Sequence, residues 1–306
     1  MMWKYKITVF TPSYNRARTL FRVFNSLQCQ TFDDFEWLII DDGSSDDTKN
    51  VVEGFISSST FTIRYYFQEN THKFHTILKA AALANGELLY TLDSDDEIFP
   101  STLNILYNTW LSIPENSRSK FSGVTGLCVD QNNKLVGMKF PSSPFDSDTL
   151  ESTVKYGIKG EKSGFQRTEL IRAFSFGDEF KNNGYIPEGI LWVGLAIKGY
   201  KTRYINDILR KYYVDDGESI MTTAKFKDNA FGTFQYTSLF LQNFKAYYLK
   251  NIRLFLGQAR NYLVSGWILN YRTKSLIFSQ NYLIVRIILI LIMPLAIFFH
   301  FNVKLK

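Results

Sequence analysis

Residues 35–48 read FEWLIIDDGSSDDT. The aromatic and β-branched run from Phe35 to Ile40 predicts a buried strand, and Asp41-Asp42-Gly43 predicts a tight turn at its end. Ser44 and Ser45 extend the turn. Asp46 and Asp47 suit the first turn of a following helix, where carboxylates cap free N–H groups and oppose the positive dipole end. The same unit recurs on both sides. Residues 5–10, 61–67 and 87–92 predict further strands. Between them, residues 18–28 place Leu20, Phe21, Phe24 and Leu27 at helical spacing, residues 46–56 follow the acidic turn, and residues 73–84 are rich in alanine. Alternation of this kind predicts an α/β fold with a mostly parallel sheet flanked by helices, whose ligands bind beyond the carboxyl ends of the strands. Polar clusters fall there: TPSYN at 11–15, DDGSSDDT at 41–48, QENTHK at 68–73 and DSDD at 93–96.

The rest of the chain is less regular. Residues 122–180 predict a hairpin around 130–134 and short helices near Leu150 and Glu169, a region suited to building an acceptor site. From about Gly232 the pattern is long and helical. No internal repeat or low-complexity tract occurs.

Charge divides the chain of 306 residues unevenly. Its formal net charge is +6, yet residues 1–228 carry 26 Lys and Arg against 29 Asp and Glu, and residues 229–306 carry nine Lys and Arg with no acid at all. Two domains are expected, 1–228 and 229–306, the second a basic, apolar helical region. Its positive charge is interleaved with apolar runs, which fits anionic lipid headgroups better than nucleic acid, so a membrane surface is expected as a partner and nucleic acid is not. The last apolar run, 287–299, is 13 residues with Pro294 inside, short for a span. An interfacial or re-entrant helix is expected before a transmembrane one. A buried core helix would explain the apolar residues but not the missing acids.

Composition excludes other classes. With 27 Phe and 18 Tyr the chain is too aromatic for disorder. Cys29 and Cys128 form neither a disulfide framework nor a cysteine metal site. Residues 1–10 contain Lys4 and Lys6 and no uninterrupted apolar stretch, so they do not read as a signal peptide, and the catalytic part is expected to face the cytosol.

At 93–96, two carboxylates one residue apart at a strand end can hold Mg²⁺ or Mn²⁺, and such an ion would bridge a diphosphate. Asp-rich turns also arise because Asp caps helices, so context decides. Asp41 or Asp42 is placed to accept hydrogen bonds from a base or ribose. His72 and His75 stand at i, i+3 with no third ligand near, against a metal site.

Taken in order, TPSYNR at 11–16, DDGSSDDT at 41–48, Asn70 with Lys73, and DSDD at 93–96 resemble the family 2 glycosyltransferases over roughly residues 5–220. The resemblance implies a GT-A fold, Rossmann-like and built for nucleotide-diphospho-sugars, here with a C-terminal membrane-associated extension. It implies nucleotide contacts from Thr11, Pro12, Tyr14, Asp41, Asp42, Lys73, Asp93 and Ser94, and a divalent metal on Asp93 and Asp95. The family's third loop has glycines before the Lys and an Asn after it, where this chain has Thr71-His72 and Leu78. The segment YIPEGILW at 185–192 is similar to the one that carries the family's general base, which points to Glu188, with Asp178 and Glu179 behind it. A carboxylate there also suits a helix start without any catalytic part. Trp192 is read as a sugar-stacking ring or as core. Residues 212–219, YYVDDGES, resemble a loop that closes over the family's site. Lys162 and Arg167 are placed as phosphate ligands or, more simply, as surface charge.

The activity implied is transfer of one sugar from a nucleotide-diphosphate donor, UDP-linked by preference, to a glycan or lipid-linked hydroxyl with inversion. Work at the cytoplasmic face of the cell membrane is expected. A sugar nucleotidyltransferase would want a Gly-rich loop after the first strand, which residues 11–18 lack. A non-catalytic membrane adaptor keeping the fold is the third reading. Processive synthesis is not favoured, because no QxxRW segment and no array of spans is present.

Overall fold

A computed structural model describes residues 3–180, 183–213 and 226–304. The chain divides into two compact units. The first comprises Met1–Asp148, Ile158–Phe176 and Gly199–Asp216, the second Thr149–Gly157, Gly177–Lys198 and Gly217–Lys306. Three segments from before residue 229 (149–157, 177–198 and 217–228) therefore group with the helical C-terminal region.

The first unit opens with β1 (Tyr5–Ser13), α1 (Leu20–Gln28), β2 (Phe35–Asp41), α2 (Thr48–Ser58), β3 (Thr62–Phe67), α3 (His72–Leu83) and β4 (Gly86–Thr91). The β-α alternation read from the sequence is thus present. Helix α1 buries Leu20, Val23, Phe24 and Leu27 along one side, and Phe24 stacks on Phe55 of α2 at 4.3 Å and on Trp37 of β2 at 6.3 Å. Strand β2 is buried at every residue, as its unbroken apolar run demands.

The sheet runs β3-β2-β1-β4 with all neighbours parallel and then continues through β8 (Lys162–Arg167), β6 (Phe121–Asp130), β9 (Lys201–Tyr212) and β5 (Glu97–Ile98), with β7 (Phe145–Ser147) on β9. In this second half only β6 and β9 are parallel; β8 is antiparallel to both of its neighbours, and β5 and β7 are antiparallel to β9. The sheet is therefore mixed, which corrects the expectation of a mostly parallel one. Helices α4 (Thr102–Leu111), α5 (Glu115–Arg118) and α6 (Thr168–Arg172) complete the unit. Strand order reverses between β1 and β4, and ligands bind beyond the carboxyl ends of the strands at such a point.

Strand β6 lies inside the region read as irregular. Its Gly123 is the reason for both its burial and its concealment, since a Cβ there would stand 1.9 Å from the Phe165 carbonyl oxygen of β8. Gly164 of β8 faces Val124 of β6 with a virtual Cβ at 2.1 Å. Glycine lowers strand propensity, yet this pair of backbones packs only because both sites lack a side chain. Turn 130–134 is present, closed by Asp130 N–H to the Lys134 carbonyl at 2.8 Å, and α6 falls where a short helix was expected.

At the other end of β2, Glu36 is fully buried and fully bonded. Its carboxylate accepts from Thr8 Oγ1 at 2.8 Å, Asn85 N at 2.7 Å, Asn85 Nδ2 at 3.0 Å and Arg64 Nη1 at 3.2 Å. The network joins β1, β2, β3 and the turn into β4.

The second unit is built from α7 (Gly189–Ile197), α8 (Ala230–Gln242), α9 (Ile252–Ile268), α10 (Thr273–Phe278) and α11 (Leu283–Lys304). Its core joins Val193, Phe240, Tyr248, Phe255, Leu263 and Leu289, among others.

Two stability predictions follow from the first unit. Glu36→Ala strands Arg64 and the Asn85 donors and is expected to lower the unfolding free energy by about 3 kcal/mol in urea titration; a change below about 1 kcal/mol would mean that water replaces the carboxylate. His72, at the start of α3, holds φ +67°, a left-handed backbone that an L side chain resists. His72→Gly is expected to raise stability by up to about 1 kcal/mol, the steric relief less glycine's entropy cost, and a lowered melting temperature would show that the imidazole repays its strain.

Candidate active site

Three loops are stitched together at the carboxyl edge of β1 and β2. Strand β1 runs on through Ser13, so Thr11 and Pro12 are strand residues and not loop, as was expected. Thr11 is buried and its Oγ1 accepts from Trp37 Nε1 at 2.9 Å, so its side chain serves the core. Pro12 is half-buried in register with Ile40, and Tyr14 just beyond is 47% exposed. Asn15, at φ +54°, accepts from Ser45 N at 2.8 Å and Asp46 N at 3.3 Å, while its own N–H donates to Ser44 Oγ at 2.8 Å. Asp46 accepts from Thr48 N at 3.1 Å and Ala17 N at 3.1 Å, the structural part expected of it.

The paired aspartates of the second loop differ. Asp41 is 1% exposed, and its two oxygens accept from Ser44 N at 2.8 Å and Tyr65 Oη at 2.6 Å. Burial and this carboxylate push the Tyr65 phenol above its ordinary pKa. The fold engages both Asp41 oxygens, so its nucleotide part is not supported by this geometry. Asp42 donates its N–H to the Ser13 carbonyl at 2.8 Å, and one carboxylate oxygen gathers Gln68 Nε2 at 2.7 Å, Thr71 N at 2.8 Å and Thr71 Oγ1 at 3.1 Å. Asp42 thereby ties the third loop, ahead of Lys73, to the first two. Gly43 follows at φ +91°, which only glycine takes without strain. Ser13 Oγ is buried with no hydrogen-bond partner among the described residues, a polar atom left for a ligand or water to satisfy.

After β4 comes DSDD. Asp93 accepts from Lys73 Nζ at 2.5 Å and from Arg210 Nη1 at 3.3 Å. Burial would raise its carboxyl pKa, but these two cations hold it below the ordinary range. Ser94 is buried. Asp95 is half-buried, its side chain 32% exposed against 27% for Asp93, with Arg16 Nη2 at 4.0 Å and Arg22 Nη1 donating to its backbone carbonyl at 3.0 Å. Desolvation and the neighbouring charge of Asp93 raise its carboxyl. Asp96 is fully buried, accepts from Tyr213 N at 3.0 Å and faces Arg210 Nη1 at 3.3 Å. Burial pushes it up to about 7 against the pull of Arg210.

Arg210 of β9 is the residue that sequence reasoning missed. It is 117 positions from Asp93, and nothing in its local sequence, LRKYY, separates it from an ordinary strand arginine. Its other nitrogen, Nη2, reaches Glu161 at 3.2 Å. Arg22, also missed, lies over the Tyr213 ring at 4.1 Å.

A divalent ion must find its oxygen ligands here. Among the described residues no group of three or more His, Cys, Asp or Glu is arranged to hold one, His72 and His75 included. Asp93 is already countered by two cations. Asp95, half-buried with Asp93 beside it, fits an ion whose remaining ligands come from a diphosphate, the usual arrangement for Mg²⁺.

Other sequence candidates fall elsewhere. Lys162 donates to the Lys159 carbonyl at 2.9 Å, and Arg167 donates to the carbonyls of Ser119 at 3.1 Å and Phe121 at 3.2 Å and pairs with Glu169. Their donors are engaged within the fold, which corrects the phosphate-ligand reading. In the second unit, Glu188 precedes α7, its carbonyl accepting from Leu191 N at 2.9 Å. Asp178 and Glu179 lie in a short 3-10 turn, and Trp192 is half-buried. Of the segment 212–219, residues 214–219 lie outside the described residues.

Residues 8–117 match the model of the family described as glycosyl transferase family 2. The putative teichuronic acid biosynthesis glycosyltransferase TuaG of Bacillus subtilis is 30% identical over 214 residues, covering 69% of this chain and 79% of that relative. The GalNAc(5)-diNAcBac-PP-undecaprenol beta-1,3-glucosyltransferase of Campylobacter jejuni is 28% identical over 220 residues, 70% of this chain and 67% of the relative. Among solved structures, S. aureus TarS 1-349 in complex with UDP-GlcNAc superposes with a TM-score of 0.61 at 18% identity, covering 95% of this chain and 80% of the other. The edge where β1, β2 and β4 end, with its DSDD loop and Asp42, belongs to an enzyme of known kind: the chain is a family 2 glycosyltransferase of GT-A fold.

Proposed function

We propose that this enzyme moves one sugar from a UDP-linked donor to a hydroxyl of a lipid-linked glycan, with inversion, at the cytoplasmic face of a membrane. The observation that carries the reading is Asp95: a part-exposed carboxylate, raised by desolvation and by Asp93, with Arg16 no nearer than 4.0 Å, beside the β1–β4 reversal where the Asp42 loop also ends. The donor nucleotide is drawn from the UDP-GlcNAc held by TarS, and the acceptor class from the polyprenol-linked glycan in the name of the Campylobacter relative.

In this reading Asp42 orients the nucleotide and the exposed Tyr14 ring offers a face for the base. Lys73 and Arg16 supply positive charge where the diphosphate lies, with Asp93 and Arg210 fixing Lys73. Asp95 is the residue that holds a divalent cation. Such an ion, when bound, neutralises the charge that gathers on the departing diphosphate. Glu188 takes the proton of the acceptor hydroxyl as it attacks the anomeric carbon on the face opposite the leaving group, which gives inversion. The catalytic domain is assigned to 1–228 and the membrane-associating region to 229–306.

Two substitutions test the assignment. Asp95→Ala is expected to weaken Mn²⁺-dependent UDP binding by more than about tenfold in calorimetric titration, since even a ligand's supporting partner is worth that much; binding that is equal with and without chelator in the parent protein removes the metal from the scheme. Glu188→Gln is expected to keep donor affinity and lose about a hundredfold to ten-thousandfold in kcat. Full turnover by that variant would pass the base to Asp178 or Glu179, and UDP binding with neither transfer nor donor hydrolysis in the parent would favour an adaptor.

A further inference from the structure

Helix α11 has two apolar faces. Val285, Leu289, Ile292 and Ala296 repeat at helical spacing and are buried in the core of the second unit. On the opposite side, at 100° per residue, stand Leu283, Ile287, Ile290, Leu291, Phe298 and Phe301, each between 47% and 74% exposed. Pro294 shares that outward side and interrupts no charge, because none is there. An apolar strip along five turns exceeds what a water-facing helix keeps without a partner.

The surroundings say which partner. From Asn229 to Lys306 there is no Asp or Glu, and Lys245, Lys250, Arg253, Arg272 and Lys274 are exposed. An apolar strip in a region that carries exposed cations and no acids complements a bilayer bearing anionic lipid, which draws the cations to its headgroups and takes the strip among its acyl chains. A second copy of this basic region would bring like charges together.

Length and hydropathy alone would let α11 cross a membrane, and among the described residues it is the one helix that would. Packing argues for a different orientation. Only its outward face is unpartnered. Its inner face is joined to α9, whose Arg260 guanidinium lies 4.3 Å over the Phe299 ring, and whose Trp267 ring stands 5.6 Å from that of His300. A helix standing upright in the bilayer would carry Arg260 and its polar neighbours on α9, Gln258 and Asn261, into hydrocarbon. Lying flat, it sinks its apolar strip and leaves α9 in water.

We propose that α11 lies in the plane of the membrane as a monotopic anchor, outward face down, on anionic lipid. This rests on the membrane reading above and goes beyond it by fixing the orientation and the residues. The test is flotation of the full chain with vesicles of phosphatidylcholine, with and without phosphatidylglycerol. The protein is expected to float with the anionic vesicles, to be stripped by alkaline carbonate, and to lose at least about tenfold in binding when Leu291→Asp and Phe298→Asp are combined, because buried apolar area sets interfacial affinity. Both sites face outward, so the melting temperature should hold. Lys250→Glu with Arg253→Glu should reduce anionic binding without touching the strip. Undiminished binding by the double Asp variant, or retention through carbonate, overturns the in-plane seating while leaving membrane association intact. No binding to either vesicle sinks the membrane reading itself, and a dimer in solution that the Asp variant splits would give the face to a second copy.

Discussion

The catalytic edge of the first unit depends on a buried cation. Arg210 is 4% exposed, and a guanidinium removed from water costs several kcal/mol unless carboxylates surround it. Burial works against its charge, while Asp96 and Asp93 favour it, and the balance keeps it charged. It meets Asp93 and Asp96 at 3.3 Å each and Glu161 at 3.2 Å. These bonds hold β9 to the loop after β4 and fix the backbone that presents Asp95. With Lys73 taking the second oxygen of Asp93, Asp95 is the acid of the loop that its cation meets only at 4.0 Å. A loop of three uncompensated aspartates would repel itself, whereas here cations close on Asp93 and Asp96.

How much of this was legible from the residues depended on the distance over which each interaction acts. Strands β1 to β4 could be read because their apolar runs and polar ends are local signals, and the loops that follow them carried the family's motifs. Strands β6 and β8 could not, because Gly123 and Gly164 reduce local strand propensity for a reason visible only when the two backbones are side by side. Thr11 and Asp41 match the motif, yet Trp37 and Tyr65, from neighbouring strands, take their side chains for the core. Arg210 was hidden in the same way, by a partner more than a hundred residues away.

The helical unit shows the converse. Its composition raises the expectation of a membrane surface, but periodicity is silent on which side of α11 faces the protein, because a helix apolar all round has a weak moment. Residues 287–299 read as a short run, while the helix begins at Leu283, carries Arg286 at its flank and passes through Pro294. Only the pattern of burial separates the side that completes the protein core from the side that does not.

Saturation of carboxylates is what distinguishes structure from site in this chain. Glu36 is fully buried, yet four donor groups from three neighbouring segments answer it, so it has nothing left for chemistry. Asp41 is closed by two donors, and Asp46 is spent on a helix start and the turn before it. Asp95 is treated differently: its cation stands off at 4.0 Å, its neighbour is another acid, and solvent reaches it. A protein gains no stability from leaving a carboxylate so placed. In the proposed reading, what completes such a residue is a divalent cation that arrives with the diphosphate of the donor.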